Sequence, residues 1–204
     1  MIKFTCDTFS NDNEIISHET AKSNGSNITI HKFFNGTGGV NNKVILDEGV
    51  ILKNVKIIIR GIGNVVHFKK NSHYIGLINV TGTSMNVNIG ENTHINGAEI
   101  TCRDQNVIIG KDCLLSNKIV IRSSDTHKIF CNKTNTQINK AIKPVIISDN
   151  VWIGQSVFIG KNVNVPYGSV VAAGSIITRT ITEESVIIGG IRGEILKRDI
   201  RWEK

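Results

Sequence analysis

Residues 147–177 read ISDNVWIGQSVFIGKNVNVPYGSVVAAGSII, and this stretch decides the fold. Four residues after most of its large aliphatic side chains comes a compact Val or Ser. Neither the 3.6-residue period of a helix nor the two-residue alternation of a strand gives that pattern over thirty residues. A chain that turns once every six residues does give it, with each coil burying its apolar side against the coils above and below. The aliphatic positions, six residues apart, are Ile147, Ile153, Ile159, Val165, Val171 and Ile177.

The corners of this solenoid carry residues suited to a bend. Gly154, Gly160, Pro166 and Ala172 each directly follow an aliphatic position. The run over residues 153–176 resembles the hexapeptide-repeat acyltransferases. That resemblance extends over roughly residues 87 to 193, and it implies an all-β left-handed parallel β-helix, an exception to the usual right-handed crossover. It also implies a homotrimer that uses acetyl-CoA or another acyl-CoA as acyl donor.

Weaker versions of the repeat precede this stretch. The phase is lost between Asn64 and Met85, where we expect irregular strands and a longer corner. Its basic pair Lys69 and Lys70 suits either a substrate contact or a solvated corner. The side chains expected to point inward are Ile45, Ile51 and Ile57 in the first coils, and then Ile89, Ile95, Thr101, Ile109, Leu115 and Ile121.

These patterns predict three segments. Residues 1–40 are polar and rich in turn-forming residues, which favours an N-terminal arm that caps the first coil. Residues 41–193 form the triangular β-helix, interrupted by a polar protruding loop over residues 122–143. Residues 194–204 are expected to form a short C-terminal helix.

Composition restricts the class of protein. The chain has 204 residues, 40% of them hydrophobic and only 5% aromatic, which suits a narrow interior of Ile and Val. It lacks a run of eighteen apolar residues and a signal-peptide pattern, so we expect a cytoplasmic protein without a membrane span. The net charge of +7 fits partners that carry phosphate or carboxylate, including CoA. No basic stripe interleaved with aromatics indicates nucleic-acid binding, and four scattered cysteines indicate free thiols.

The loop over residues 122–143 is the candidate site, because long loops in compact domains are often functional. Histidine is a natural general base at neutral pH, and His127 opens this loop directly after a repeat strand. The segment Ser124-Asp125-Thr126-His127 resembles the Ser-Asp-x-His segment of O-acetyltransferases that modify bacterial surface polysaccharides. The resemblance implies that His127 is the catalytic base. Asp125 then orients the ring or stabilises its charge, unless it only forms the turn.

Further site residues follow from the same resemblance. Trp152 matches an N-x-W-I-G segment and should face outward, where it binds acyl-CoA or acceptor or packs against a neighbouring subunit. The resemblance also implies that the small residues Gly154, Ala172 and Ala173 let the pantetheine arm of CoA approach the backbone. It implies as well that Thr178 and Arg179 lie near the nucleotide end of CoA.

The favoured function is an acetyl-CoA-dependent O-acetyltransferase acting on a sugar of a bacterial capsule, exopolysaccharide or lipopolysaccharide. N-acetylation of a nucleotide-linked amino sugar is the alternative on the same scaffold, and a purely structural β-solenoid is the non-enzymatic one. A carbonic anhydrase of the γ type needs three histidines on zinc, and the histidine spacing here does not match. We therefore expect no metal.

Overall fold

The computed structural model describes residues 2–6, 12–33 and 35–204, and the regular elements within these ranges are all β-strands. Residues 1, 7–11 and 34 of the expected N-terminal arm lie outside the described residues. The strands are β1 (Lys3–Cys6), β2 (Glu14–Ser17), β3 (Lys22–Asn24), β4 (Asn27–His31), β5 (Lys43–Leu46), β6 (Ile51–Ile62), β7 (Val65–Phe68), β8 (His73–Thr83), β9 (Asn86–Ile89), β10 (His94–Arg103), β11 (Val107–Ile109), β12 (Leu114–Leu115), β13 (Ile119–Arg122), β14 (Val145–Ile147), β15 (Trp152–Ile153), β16 (Phe158–Ile159), β17 (Asn164–Val165), β18 (Val170–Val171), β19 (Ile176–Ile177), β20 (Ile187–Gly189), β21 (Ile191–Arg192) and β22 (Glu194–Lys197).

The strands stack into three ladders that form the faces of a prism. Strands β6, β8 and β10 each run along face I, shift register at a corner and continue along face II. Face I then continues through β12, β15, β18 and β20, and face II through β13, β16, β19 and β21. Face III contains β2, β5, β7, β9, β11, β14 and β17. All pairings in these ladders are parallel, as the sequence predicts for a solenoid.

The interior confirms the six-residue repeat where it is clearest. The six aliphatic side chains from Ile147 to Ile177 are completely buried. Ile89, Ile95, Ile109, Leu115 and Ile121 are buried as well. Each such side chain contributes roughly 1.5–3 kcal/mol by leaving water, so the stack of coils is the unit that holds the chain together.

The expected inward positions in the first coils are partly wrong. Ile57 is buried, but Ile51 is 45% exposed and Ile45 is only half-buried, whereas Val44, Leu46 and Leu52 fill the interior. Thr101 also faces outward, between the buried Ile100 and Cys102. Alternate residues of a strand point to opposite faces. An error of one residue in the assigned phase therefore places every side chain of the strand on the wrong face.

Coil length explains these errors. Ile147 pairs with Val165, eighteen residues later, and eighteen residues are three hexapeptides. Val66 pairs with Val87, twenty-one residues later, so the earlier coils have longer sides and lose the period of six. The expectation of irregular strands between residues 64 and 85 is wrong for β7, which pairs in unbroken register with β5 and β9. It holds in part for β8, which shifts register at its corner against both β6 and β10. Phe68 and Tyr74 pack edge to face inside these strands.

Asparagine side chains support the corners. The corner between faces III and I needs positive φ, and Asn71, Asn92, Asp112 and Asn150 adopt it with values of 54–58°. Asn and Asp tolerate this backbone conformation better than other non-glycine residues. Inside the prism, the amide of buried Asn64 donates to Asn42 Oδ1 at 2.9 Å, and Asn42 donates to Asn13 Oδ1 at 3.1 Å. These bonds satisfy buried polar groups at successive coils.

The two ends of the chain join the same ladders. In the segment assigned to the N-terminal arm, β2 pairs with β5 and β4 pairs with β6 in parallel register. At the other end, β20 still pairs with β18, so residues 187–189 belong to the stack.

The predicted C-terminal helix over residues 194–204 is wrong. Positive φ angles at Gly190, Arg192 and Gly193 reverse the chain, and β22 then runs antiparallel to β20. The open edge of β20 offers backbone donors and acceptors that a helix would leave unpaired and that a strand satisfies. Ile195 packs against the core, whereas Leu196 is 62% exposed.

Candidate functional site

His127 follows the end of face II. After β13, the buried side chain of Ser123 binds the preceding coil, accepting from Arg103 N and donating to Arg103 O, both at 2.9 Å. The chain leaves face II here, at the edge between faces II and III, which we call edge II/III. Strands resume only at β14, and between them lies one isolated bridge, Phe130 to Gln137. His127 is exposed and lines a polar cleft of about 220 Å³.

Asn139 organises the turn that carries His127. Its side-chain amide donates to His127 O at 2.8 Å and to Asp125 Oδ2 at 3.0 Å. Its carbonyl oxygen accepts the backbone N–H of Ile129 at 2.8 Å. One side chain thus holds both sides of the segment and fixes the backbone from which the imidazole projects.

Asp125 belongs to the same hydrogen-bond network. Within the described chain its carboxylate does not hydrogen-bond the imidazole; it accepts hydrogen bonds from Lys161 Nζ and from Asn139. Burial is the largest single effect and raises the pKa of Asp125, but the hydrogen bonds from Lys161 and Asn139, together with the charges of Lys161 and Arg122, outweigh it. The pKa of Asp125 therefore lies below its ordinary value, and the carboxylate is ionised at neutral pH.

A second cleft of about 500 Å³ adjoins the first, and Ser124 and Asp125 line both. Its other walls include Phe158, Gly160 and Thr178. Two cations, Arg122 and Lys161, also line it. The exposed imidazole therefore stands beside a larger cleft with cationic walls and a partly apolar lining.

The two corner glycines at 154 and 160 differ in their steric role. A Cβ on Gly154 would lie 2.7 Å from Ala173 N and 2.9 Å from Val171 O, so the neighbouring coil requires a glycine there. A Cβ on Gly160 would come no closer than 3.4 Å to any atom, which is ordinary contact. Packing therefore does not require a glycine at position 160. Because glycine has no side chain, however, the 500 Å³ cleft stays open there.

Trp152 lies on a different face from His127. It points outward from β15 on face I and is 40% exposed. Trp202 packs against it with ring centroids 6.1 Å apart at an angle of 43°, and Trp202 Nε1 donates to Asn150 O at 2.8 Å. The structure therefore does not bring Trp152 and His127 together within one chain.

The residues expected to bind CoA divide between two edges. Gly154, Ala172 and Ala173 lie at the edge between faces I and II, where Ala173 is exposed and Ala172 is half-buried. Thr178 lies at edge II/III and lines the larger cleft. Arg179 is exposed, and its Nε donates to Gly193 O at 2.9 Å.

Lys70 pairs with Glu48 at 2.7 Å at the corner between faces III and I, so it lies apart from edge II/III.

Sequence reasoning missed Asn139, Lys161 and Gly160. The position of Lys161 directly after a corner glycine was a usable signal, because it places the side chain on the same edge as the loop. Asn139 gave no signal, because its partners depend on how the loop folds back.

Within the described ranges, the structure gives less support to chemistry based on a metal ion or on a cysteine thiol. No group of three or more His, Cys, Asp or Glu side chains is placed there to hold a metal ion. Burial raises the pKa of Cys102 to about 12 and that of Cys113 to about 11, so neither thiol is a nucleophile at neutral pH. Among the described residues no helix has the length and apolarity to cross a bilayer.

Comparison with known proteins identifies relatives. No protein-family model matches the chain. A polysialic acid O-acetyltransferase of Escherichia coli O1:K1 / APEC is 35% identical over 140 residues, which are 68% of this chain and 45% of that protein. A polysialic acid O-acetyltransferase of Neisseria meningitidis is 30% identical over 124 residues, which are 60% of this chain and 57% of that protein. The chain thus spans about half the length of these curated relatives.

Solved structures match over a larger share. The crystal structure of the polySia specific acetyltransferase NeuO aligns with all of this chain and 88% of its own, at 32% identity and a TM-score of 0.87. The polysialic acid O-acetyltransferase OatWY aligns with all of this chain and 92% of its own, at 23% identity and a TM-score of 0.81, which supports the fold.

Proposed function

The chain belongs to the family of hexapeptide-repeat O-acetyltransferases that act on bacterial surface polysaccharides, and on this premise we propose that it transfers acetyl from acetyl-CoA to a sugar hydroxyl of such a polysaccharide. The left-handed sense of the coil, a cytoplasmic location and assembly as a homotrimer are parts of this proposal.

His127 is the general base of the proposed reaction. Its imidazole takes the proton from the sugar hydroxyl as the oxygen attacks the thioester carbonyl, and returns it to the departing CoA sulfur. The observation that carries this assignment is the position of His127: an exposed imidazole on a backbone held by Asn139, beside the 500 Å³ cleft. Asp125 contributes through Lys161 and Asn139 and positions the segment.

The donor site is proposed to form between subunits. Trp152 and His127 lie on different faces of one chain, so a neighbouring copy is needed to bring such residues together. An outward apolar row on face II supports subunit contact: Val120 pairs with Phe158, Phe158 with Ile176, and Ile176 with Ile191. Ile191 is 74% exposed in the single chain, and a row of this kind is typical of an interface. Gly154, Ala172 and Ala173 bind the pantetheine arm, and Thr178 and Arg179 lie near the nucleotide end.

Acetyl transfer is tested with the purified full chain, acetyl-CoA and a panel of bacterial surface glycans. We expect release of free CoA thiol that depends on the glycan, together with a mass increase of one acetyl group on a sugar oxygen. Acetyl on a sugar nitrogen alone would favour the N-acetyltransferase alternative. Release of no CoA thiol with any member of the panel would contradict the proposal.

A further inference from the structure

Residues 198–204, which we call the C-terminal tail, run down the outside of the prism after β22. The tail leaves face I, where β22 pairs with β20, and follows the corner between faces III and I toward the N-terminal coils. Every second residue of the tail donates to the backbone carbonyl of a corner residue with positive φ. These bonds are Ile200 N to Ser185 O at 3.0 Å, Trp202 Nε1 to Asn150 O at 2.8 Å and Lys204 Nζ to Asn92 O at 2.8 Å. The tail is therefore bonded to several coils of the prism.

The tail begins at an ion pair and alternates between the prism and solvent. The guanidinium of Arg198 donates to both carboxylate oxygens of Glu183, at 2.7 and 3.2 Å. The side chains of Arg201 and Glu203 are 84% and 74% exposed and pair with each other at 2.8 Å. The residues directly before and after Arg201 are half-buried, so alternate residues of the tail face the prism.

Trp202 packs on Trp152 from one side. Its bond to Asn150 O places it at the corner two residues before Trp152, and the two ring centroids are 6.1 Å apart at an angle of 43°. Along the ladder, Leu114 and Val170 are the strand partners of Trp152. From Trp152 the chain runs on to the edge between faces I and II. Trp202 thus supports the indole of Trp152 from the side away from that edge and leaves it 40% exposed.

Contact with Trp202 restricts the conformation of Trp152. A side chain on the outer surface of a strand commonly has two χ1 rotamers available, and fixing one of them when a ligand binds costs conformational entropy. Trp202 imposes this restriction in the free protein, which preorganises the indole of Trp152. An indole has a single N–H donor, and Asn150 O already accepts that of Trp202. Trp202 therefore acts through its neighbour and not as a hydrogen-bond donor to a ligand.

The position of Trp152 favours the acyl donor as its ligand. Gly154 follows Trp152 by two residues on the same coil, at the edge where the pantetheine arm is proposed to lie along Ala172 and Ala173. His127, the proposed base that acts on the acceptor, follows the end of face II.

We propose that Trp202 is a positioning residue for acetyl-CoA, because it fixes the indole of Trp152 in the orientation that contacts the donor at the edge between faces I and II. The proposal rests on the proposed function, since it concerns the donor of that reaction. Trp202 itself touches neither substrate.

The test measures donor binding separately from turnover. Acetyl-CoA is titrated calorimetrically into the full-length wild type, Trp202→Ala and Trp202→Phe, at a temperature at which circular dichroism shows each variant folded. We expect Trp202→Ala to raise the Kd and the KM for acetyl-CoA by about two- to tenfold, the range expected for loss of one aromatic pair. The KM for the acceptor and kcat at saturating acetyl-CoA should stay near the wild-type values. Trp202→Phe keeps a ring against Trp152 and should recover most of the affinity.

Fluorescence gives a second measurement that needs only the conservative variant. The chain contains two tryptophans, so Trp152 is the only one left in Trp202→Phe. Its emission should change on saturation with acetyl-CoA. Unchanged emission would overturn the contact between Trp152 and the donor, and this result is decisive even where Trp202→Ala does not fold.

Arg201→Gln is the matched control, because Arg201 is the exposed neighbour of Trp202 in the same tail. It should keep the wild-type Kd for acetyl-CoA. A wild-type Kd in Trp202→Ala would overturn the positioning role, as would an equal loss in Arg201→Gln. A rise in the KM for the acceptor alone would overturn the assignment to the donor. Wild-type protein that binds acetyl-CoA but acetylates no glycan of the panel would instead overturn the proposed function.

Discussion

Asn139 shows how one side chain can set the geometry of a site that sequence reasoning locates only roughly. It bonds the backbone of His127 and Ile129 and the carboxylate of Asp125. His127 and Asp125 were predicted from a local motif, because both lie within four residues of one another after a repeat strand. Asn139 lies twelve residues beyond His127, and its contacts exist only in the folded loop.

The Asp125 network predicts a pH dependence. The folded-state pKa of Asp125 lies below its ordinary value, which is about 3.9 in unfolded chains. The carboxylate's bonds to Lys161 and Asn139 therefore stabilise the segment above about pH 4 and are lost as the pH falls through the folded-state pKa. We expect hydrogen-exchange protection of the Ile129 amide, which donates to Asn139, to fall in that acidic window.

Asp125→Asn is the control for that experiment. Its segment should show weaker protection at neutral pH and little further change on acidification. Equal protection in wild type and variant across the whole range would contradict the network.

The corner elements give a matched pair of substitutions. Gly154→Ala places a Cβ against the backbone of the next coil and should destabilise the fold by about 1–3 kcal/mol. Gly160→Ala meets no such contact and should leave stability unchanged or raise it by about 0.4–1 kcal/mol. The Gly160→Ala side chain enters the 500 Å³ cleft and should instead raise KM for acetyl-CoA or for the acceptor.

Thermal denaturation and steady-state kinetics on both variants check this pair. A loss of stability in Gly160→Ala equal to that in Gly154→Ala would show that both glycines serve packing alone.

The C-terminal strand is the element that sequence reasoning assigned wrongly. Its apolar residues fit a short helix, but the turn at residues 190–193 and the open edge of β20 favour an antiparallel strand. Trp202, beyond β22, then packs on Trp152. Trp202→Phe keeps an aromatic ring but removes the N–H donated to Asn150 O, which should cost about 0.5–1.5 kcal/mol. Trp202→Ala should cost more.

Unfolding curves followed by tryptophan fluorescence measure both changes. Wild-type stability in Trp202→Ala would show that the tail does not hold Trp152. The sequence alone could not have excluded a helix in this segment, because the competing strand pairs with an edge that is formed elsewhere in the fold.

At the scale of the whole molecule, the prism was predictable where its coils are eighteen residues long. The aliphatic residues from Ile147 to Ile177 recur every six residues without a shift, so their burial could be assigned residue by residue. The earlier coils differ in length, and the period that revealed the fold then misplaced Ile51 and Thr101. Sequence reasoning could propose the loop and its histidine as the site, whereas the clefts beside that histidine depend on which residues of different coils share an edge.

The apolar row on face II predicts the state of assembly. We expect sedimentation of the wild type as a trimer, and we expect Ile176→Lys to weaken assembly because it places a charge within the row. Ile16→Lys on face III is the control, because Ile16 is also exposed, at 48%, but lies outside that row. Equal assembly of wild type and Ile176→Lys would exclude this row as the interface.

The most direct test of the account is the rate of acetyl transfer by His127→Ala measured together with its affinity for acetyl-CoA. Loss of a general base should lower kcat by about 10²–10⁴-fold. Acetyl-CoA binding should stay near the wild-type value, because the imidazole acts on the acceptor proton. A kcat within a few-fold of the wild type would contradict the account.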